Sequence, residues 1–359
     1  MQALRLHAGP HARRHIEQAG LRPQDVGIVP AAAGGPKGLI LGPLDRFIFG
    51  EWLLQSEQPV HLIGASIGAW RMATACLGDP RQAFERLEHD YIAQRHDPSP
   101  GQSRPTPTQV SQRFAGNLKV FYGGRIEEVL HHPRYRLHIV ASRGRHLLAR
   151  DGRWRTPLGY LGAFASNALH RKALGAWLDR VVFSSDHPQP LPFGTRDFRT
   201  HQAPLRSDNF MDALQASCSI PFMLRPVHGI AHAPPGTYWD GGITDYHLHL
   251  QYQPAPQSPI VLYPHFQKSV VPGWLDKAWK RRHRASAALD NMLVLAPDPA
   301  WVQTLPGARL PDRNDFIRYA HDVPGRMKAW TAATSAAAQL AEEFAHWLQH
   351  PDPSRLEPL

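Results

Sequence analysis

Cysteine is nearly absent: Cys76 and Cys218 are the two in 359 residues. They lie far apart and in no metal or redox spacing, which argues against a disulfide framework and fits a reducing interior. Long apolar runs are missing as well, since none approaches the ~20 uninterrupted apolar residues of a membrane span. The opening stretch MQALRLHAGPHARRHIEQAG lacks the apolar core of a signal peptide, so cytoplasmic residence is the expectation. Acid is scarce against base, with 30 Asp and Glu facing 40 Lys and Arg, a net charge of +10 beside 22 histidines. Such a surface attracts nucleic acid or acidic lipid headgroups. Zinc-finger spacing, a homeodomain-like helix and an aromatic RNA-binding strand are all lacking, so a nucleic-acid partner is not expected. No EF-hand run implies calcium, and no metal site or cofactor is expected. Repeats and low-complexity tails are lacking too, and nothing fixes the oligomeric state.

The chain is long enough to bury a large core without staples. One domain over residues 1–359 is expected, with a core over about 26–265 and a C-terminal helical extension over about 270–359. Short apolar runs ending in small residues predict strands at Val26–Ala32, Val60–Ile63, Arg136–Ala141, Arg180–Ser184, Pro259–Tyr263 and Met292–Leu295. Helical spacing appears at Gly38–Leu54, Ile67–Leu77, Arg81–Gln94, Leu158–Leu178, Asp208–Ser217 and Pro324–His350. In the last of these, Trp330, Ala333, Ala337, Leu340, Phe344 and Leu348 fall near one face, which predicts packing on the core. The Pro-, Ser- and Gly-rich stretch from Arg95 to Thr108 reads as an exposed loop. Alternating strands and helices predict an α/β fold with a mainly parallel sheet covered on both faces.

Three local patterns carry chemistry. Gly64-Ala65-Ser66-Ile67-Gly68 fits G-x-S-x-G between an apolar strand and a helix, the setting of a nucleophile elbow. The tight turn requires small neighbours and points the helix dipole at the serine. An ordinary glycine-cushioned strand–helix turn is the alternative. Ala33-Gly34-Gly35-Pro36-Lys37-Gly38 follows the first predicted strand, where glycines let backbone N–H groups face a ligand and suit an oxyanion hole. A phosphate loop would need Gly-Lys-Ser/Thr, which is lacking, and a plain turn is the other alternative. Tyr238-Trp239-Asp240-Gly241-Gly242 sets a carboxylate on a sharp turn, able to approach a serine hydroxyl; it also reads as a common Asp-Gly turn.

In this order, together with Ala216-Ser217-Cys218-Ser219-Ile220-Pro221-Phe222, the motifs from about Val26 to Leu250 resemble patatin-like phospholipases. The resemblance implies a three-layer α/β/α fold with a central mostly parallel sheet, hydrolysis of lipid acyl esters, and a Ser–Asp dyad in place of a triad. It implies Ser66 as nucleophile, Asp240 as base, and Gly34, Gly35, Lys37 and Ile67 as oxyanion-hole residues, with Gly64 and Gly68 cushioning the elbow. The sequence departs from the family where Ala33 replaces the first loop glycine, Lys37 stands for the arginine, and Ile-Thr-Asp-Tyr-His follows the Asp-Gly-Gly turn. Pro36 has no N–H to donate. Asp245 is a second nearby carboxylate, and His247, His249 and His265 leave a Ser–Asp–His triad open.

A lipid or other ester is the expected substrate. Acyl transfer, thioester or polyester cleavage by the same dyad, and non-catalytic lipid binding are the alternatives. Trp274-Leu275-Asp276-Lys277-Ala278-Trp279-Lys280-Arg281-Arg282-His283-Arg284 combines two tryptophans with clustered cations, which suits peripheral contact with an anionic membrane surface. A solvated basic helix with its tryptophans turned inward fits the same residues.

Overall fold

The computed structural model of the chain describes residues 1–95 and 105–359. Among the described residues eleven strands form one sheet: β1 Leu4–Ala8, β2 Val26–Ala31, β3 Val60–Ala65, β4 Tyr135–Gly144, β5 Leu178–Ser184, β6 Thr200–Pro204, β7 Val227–His228, β8 Thr237–Asp240, β9 Ile260–Pro264, β10 Met292–Pro297 and β11 Leu356–Pro358. Their order is β11-β1-β10-β9-β2-β3-β4-β5-β6, and β8 pairs with both β4 and β7. The centre, β10-β9-β2-β3-β4, is parallel throughout. β1 runs antiparallel to β10, and β5 and β8 antiparallel to β4. Strands β2, β9 and β10 are buried along their whole length, which is why they read as continuous apolar runs without alternation; β5 is as fully buried but carries Asp179 and Arg180.

The helices used below are α1 Pro10–Ala19, α2 Ile67–Ala75, α3 Pro80–Ile92, α4 Pro107–Tyr122, α5 Arg155–Leu169, α6 Phe210–Ser217, α7 Val323–Ala336 and α8 Ala338–Gln349. Helices flank the mostly parallel sheet, so the architecture is the mixed α/β fold expected. Trp330, Ala333, Ala337, Leu340 and Phe344 are all buried, and α8 joins the main core, where the Phe344 ring meets those of Phe47 and Trp52.

Several expected boundaries shift. Helix Leu158–Leu178 stops at Leu169, because His170 is extended; a 3₁₀ turn over Arg171–Ala176 follows, and Leu178 opens β5. The long C-terminal helix is two helices meeting at Ala337. Gly38–Leu54 is helical in pieces, 3₁₀, α and π in turn. Of the expected loop Arg95–Thr108, residues 96–104 lie outside the described residues, and α4 already begins at Pro107. Thr106 caps α4 by accepting from Gln109 N–H while the Gln109 side chain accepts from Thr106 N–H. Among the described residues no helix is long and apolar enough to cross a membrane.

Candidate active site

Strand β4 brings the site together. One of its edges carries β3 as far as the pair Ala65↔Val140, and β8 takes over in the opposite direction from Ala141↔Asp240. The last residue of β3 and the last of β8 therefore meet over one peptide of β4. Ser66 follows Ala65 directly, so the two side chains converge although 174 residues separate them: Ser66 Oγ donates to Asp240 Oδ2 at 2.7 Å.

Each side of the junction is tight for a stated reason. Ser66 adopts φ 57°, ψ −128°, a region costly for a residue with a Cβ and common at functional turns. A Cβ on Gly68 would lie 1.9 Å from the Ala31 carbonyl oxygen, and one on Gly64 2.4 Å from Ala69 Cα. The elbow therefore tolerates only glycine at these two places. On the other side a Cβ on Gly241 would lie 2.0 Å from the Val140 carbonyl oxygen. Ser217, at the end of α6, ties the halves: its hydroxyl accepts from Ser66 N–H at 2.9 Å and donates to Val140 C=O at 2.6 Å. Asp240 N–H donates to Ser219 C=O, and Ser142 Oγ donates to Asp240 C=O, each at 2.9 Å.

Both side chains are buried. Asp240 Oδ1 accepts from Gly242 N–H at 2.7 Å. Burial pushes the Asp240 carboxyl up to about 6, against the opposing pull of the Ser66 and Gly242 hydrogen bonds and the charges of Arg313 and Lys277. Desolvation disfavours the carboxylate more than its partners favour it.

The glycine loop lies alongside. Ala33 N–H donates to Tyr246 C=O at 2.9 Å, and a Cβ on Gly242 would lie 2.6 Å from that of Ala33, so this loop and the aspartate turn are in contact. Gly35 has φ 59° and precedes Pro36 at the start of a 3₁₀ element. The N–H groups of Gly34 and Gly35 and that of Ile67, first residue of α2, donate to no protein acceptor among the described residues. Lys37 is the third residue of the 3₁₀ element, the first position whose N–H an i→i+3 pattern uses internally. Its Nζ lies 5.5 Å from the centroid of the Phe266 ring.

The other candidates are spent elsewhere. Asp245 forms a buried bidentate pair with Arg180, at 2.8 and 2.6 Å. His247 Nδ1 meets Val271 N–H at 3.0 Å, His249 lies between Val270 C=O and Ser286 Oγ, and His265 Nδ1 faces the Gln267 backbone. Burial pushes His265 down to about 3 and His247 well below an ordinary histidine. Among the described residues no histidine bonds Ser66 or Asp240.

The Trp274–Arg284 stretch is two short 3₁₀ turns, Trp274–Asp276 and Lys280–His283. Asp276 is fully buried and bonds Asn167, Arg171 and Arg282. Trp274 packs beside the cluster of Leu148, Tyr160 and Trp239. A cleft of about 610 Å³ opens next to this stretch, lined by Lys268, Lys277, Lys280, His283 and Arg284. Lys277, on its wall, bears a charge that favours the Asp240 carboxylate.

Sequence reading missed Arg313 and Tyr91, which lie over the loop 3.8 and 3.6 Å from where a Gly35 Cβ would stand. Arg313 lies far beyond the last motif, and no local pattern marks it. One group of metal-type donors, His61, His138 and Asp186, lies together with ligand atoms within 4.8 Å. His61 stands at the start of β3 and Ser66 after its end, so this group is remote from the pair.

No curated protein matches the chain significantly. The family model described as patatin-like phospholipase matches residues 33–247, a stretch that contains the glycine loop, Ser66 and Asp240 and exceeds half of the chain. The chain belongs to the patatin-like phospholipase family, a family of lipid acyl hydrolases.

Proposed function

We propose that the protein hydrolyses carboxylic esters of lipids through an acyl-enzyme on Ser66, with Asp240 as the base. The observation that carries this reading is the 2.7 Å hydrogen bond from Ser66 Oγ to Asp240 Oδ2. Asp240 takes the hydroxyl proton as Oγ attacks the ester carbonyl. The tetrahedral oxyanion is met by the free N–H groups of Gly34, Gly35 and Ile67. Collapse expels the alcohol, which leaves with the proton from Asp240, and a water deprotonated by the same carboxylate releases the acid.

A carboxyl held at about 6 supports this role. It is a stronger base than an ordinary aspartate and is still ionised at neutral pH, the compromise general-base catalysis requires. Preorganised amides supply much of the remaining acceleration, since one lost donor costs on the order of 10²–10³ in turnover. The cationic cleft beside Lys277 favours a substrate with a phosphate-bearing headgroup.

The test is fatty-acid release from mixed phospholipids by wild type, Ser66→Ala and Asp240→Asn. Both variants are expected to lose release by at least three orders of magnitude. Release that survives both substitutions refutes the assignment. Added alcohol acceptors and short-chain esters in the same assay separate hydrolysis from acyl transfer.

A further inference from the structure

Helix α5 turns its apolar side outward. Thr156, Gly159, Tyr160, Ala163 and Asn167 face the protein, while Leu158, Leu161, Phe164 and Leu169 face solvent, Leu161 at 63% and Leu169 at 87% exposure. No charged residue occurs from Thr156 to Leu169. The patch continues beyond the helix. Phe222 is 55% exposed and its ring meets Tyr160 at 5.8 Å, and Met223 stands exposed beside it. Scattered exposed leucines need no explanation, but a contiguous patch of this kind marks an interaction surface.

Charge says what covers it. Arg150, Arg153 and Arg155 precede or open the helix and Lys172 follows it, all exposed. None of the four makes an ion pair with any of the described residues. Trp154, 71% exposed, lies among them under the Arg153 guanidinium. A second copy laid symmetrically across α5 would set these cations against cations. An anionic bilayer satisfies both features, with leucines and rings at the acyl boundary and cations at headgroup level.

Position gives the second argument. Tyr160, on the inner face of α5, meets Trp239 at 5.7 Å, and Trp239 directly precedes Asp240. The patch and the Ser66–Asp240 pair therefore share a wall. We infer that the outer face of α5, with Phe222 and Met223, docks the protein on an anionic phospholipid bilayer. The basic stretch Trp274–Arg284, whose Trp274 is packed inward, flanks this face and does not form it. The use of docking, delivery of lipid to Ser66, rests on the hydrolase reading; docking itself does not.

The full chain is floated with vesicles of phosphatidylcholine alone and of phosphatidylcholine with phosphatidylglycerol. Wild type is expected to float with the mixed vesicles, more weakly with the neutral ones, and less at high salt. Leu161→Asp with Phe164→Asp is expected to lower partitioning on the order of 100-fold. It should lower hydrolysis of vesicle lipid in proportion and leave a soluble short-chain ester untouched, with an unchanged melt showing that the exposed changes preserve the fold. Arg153→Glu with Lys172→Glu should abolish the preference for anionic vesicles. Ser66→Ala should float as wild type does, so loss of ester hydrolysis with flotation intact would remove the enzyme reading alone. The inference is overturned if wild type floats with neither vesicle, if the Asp variant floats undiminished, or if wild type is a dimer that this variant dissociates.

Discussion

Asp240→Asn is expected to inactivate the protein and stabilise it at once. The carboxyl of Asp240 is raised from 3.8 to about 6, chiefly by burial. A rise of about two on the pH scale corresponds to about 3 kcal/mol, at ~1.4 kcal/mol for each tenfold change in proton affinity, and this is the cost of holding the ionised form in the fold. The sign follows from which state binds the proton more tightly. The folded pKa lies above the unfolded one, so the unfolded chain ionises first as pH rises, and stability falls between 3.8 and about 6. Below that window the cost is absent, and above it the cost is complete. Asparagine is neutral throughout. Its carbonyl keeps the Gly242 N–H and its amide donates to Ser66 Oγ, so both hydrogen bonds survive in neutral form. The variant should therefore exceed wild type by only about 0.5 kcal/mol at pH 4 and by about 3 kcal/mol at pH 8. For a chain of 359 residues that is a rise in Tm of about 4 °C. Paired urea or thermal unfolding at pH 4, 5, 6 and 8 reads the difference, with acid effects common to both proteins cancelling. A variant less stable than wild type at pH 8, or a gap independent of pH, would refute the reasoning that burial sets the carboxyl's basicity.

The same raised carboxyl gives kcat/KM for a soluble ester an acid limb: activity should rise with pH through about 6 and then level off, and a limb near 4 would count against Asp240 as the base. Ser217→Ala removes the acceptor for Ser66 N–H and a donor to Val140; it should cost about 1–3 kcal/mol in unfolding assays and lower kcat more than it raises KM. Gly241→Ala forces a Cβ to 2.0 Å from the Val140 carbonyl oxygen, so it should yield little folded protein, whereas Gly116→Ala, with open space around it, should express and melt as wild type does. Arg313→Gln removes a cation that favours the Asp240 carboxylate, so the acid limb should move to higher pH, a displacement that a loss of packing alone would not produce.

Much of the fold was legible because its central strands are buried on both faces. Val26–Ala31, Val60–Ala65 and Met292–Pro297 announce themselves as short apolar runs. Strand β1 does not, since LRLHA carries Arg5 and His7 among its apolar residues, and β11 is three residues long. The region after α5 misleads for a related reason. Leu174 and Leu178 continue a helical spacing, yet they are buried from a 3₁₀ turn and a strand, and only the extended backbone of His170 marks the break. Periodicity also says that α5 has an apolar side without saying that this side faces out. At the site, Ser66, Asp240 and the glycines were readable because tight turns demand particular residue types at fixed spacing. Ser217 appeared in a motif without a role, because its part is to bridge two strand ends that meet only in the sheet. Arg313 and Lys277 act through space from loops after β8, where sequence order carries no signal. The 3₁₀ turn that starts at Gly35 and takes in Lys37 carries no sequence signal of its own.

A serine-reactive fluorophosphonate, followed by mapping of the modified peptide, tests the central contact most directly. One label is expected on the peptide carrying Ser66 in wild type, none in Ser66→Ala, and labelling slowed by at least two orders of magnitude in Asp240→Asn, which keeps the fold but loses the proposed base. Label on another residue, or labelling of Asp240→Asn at the wild-type rate, would contradict the account.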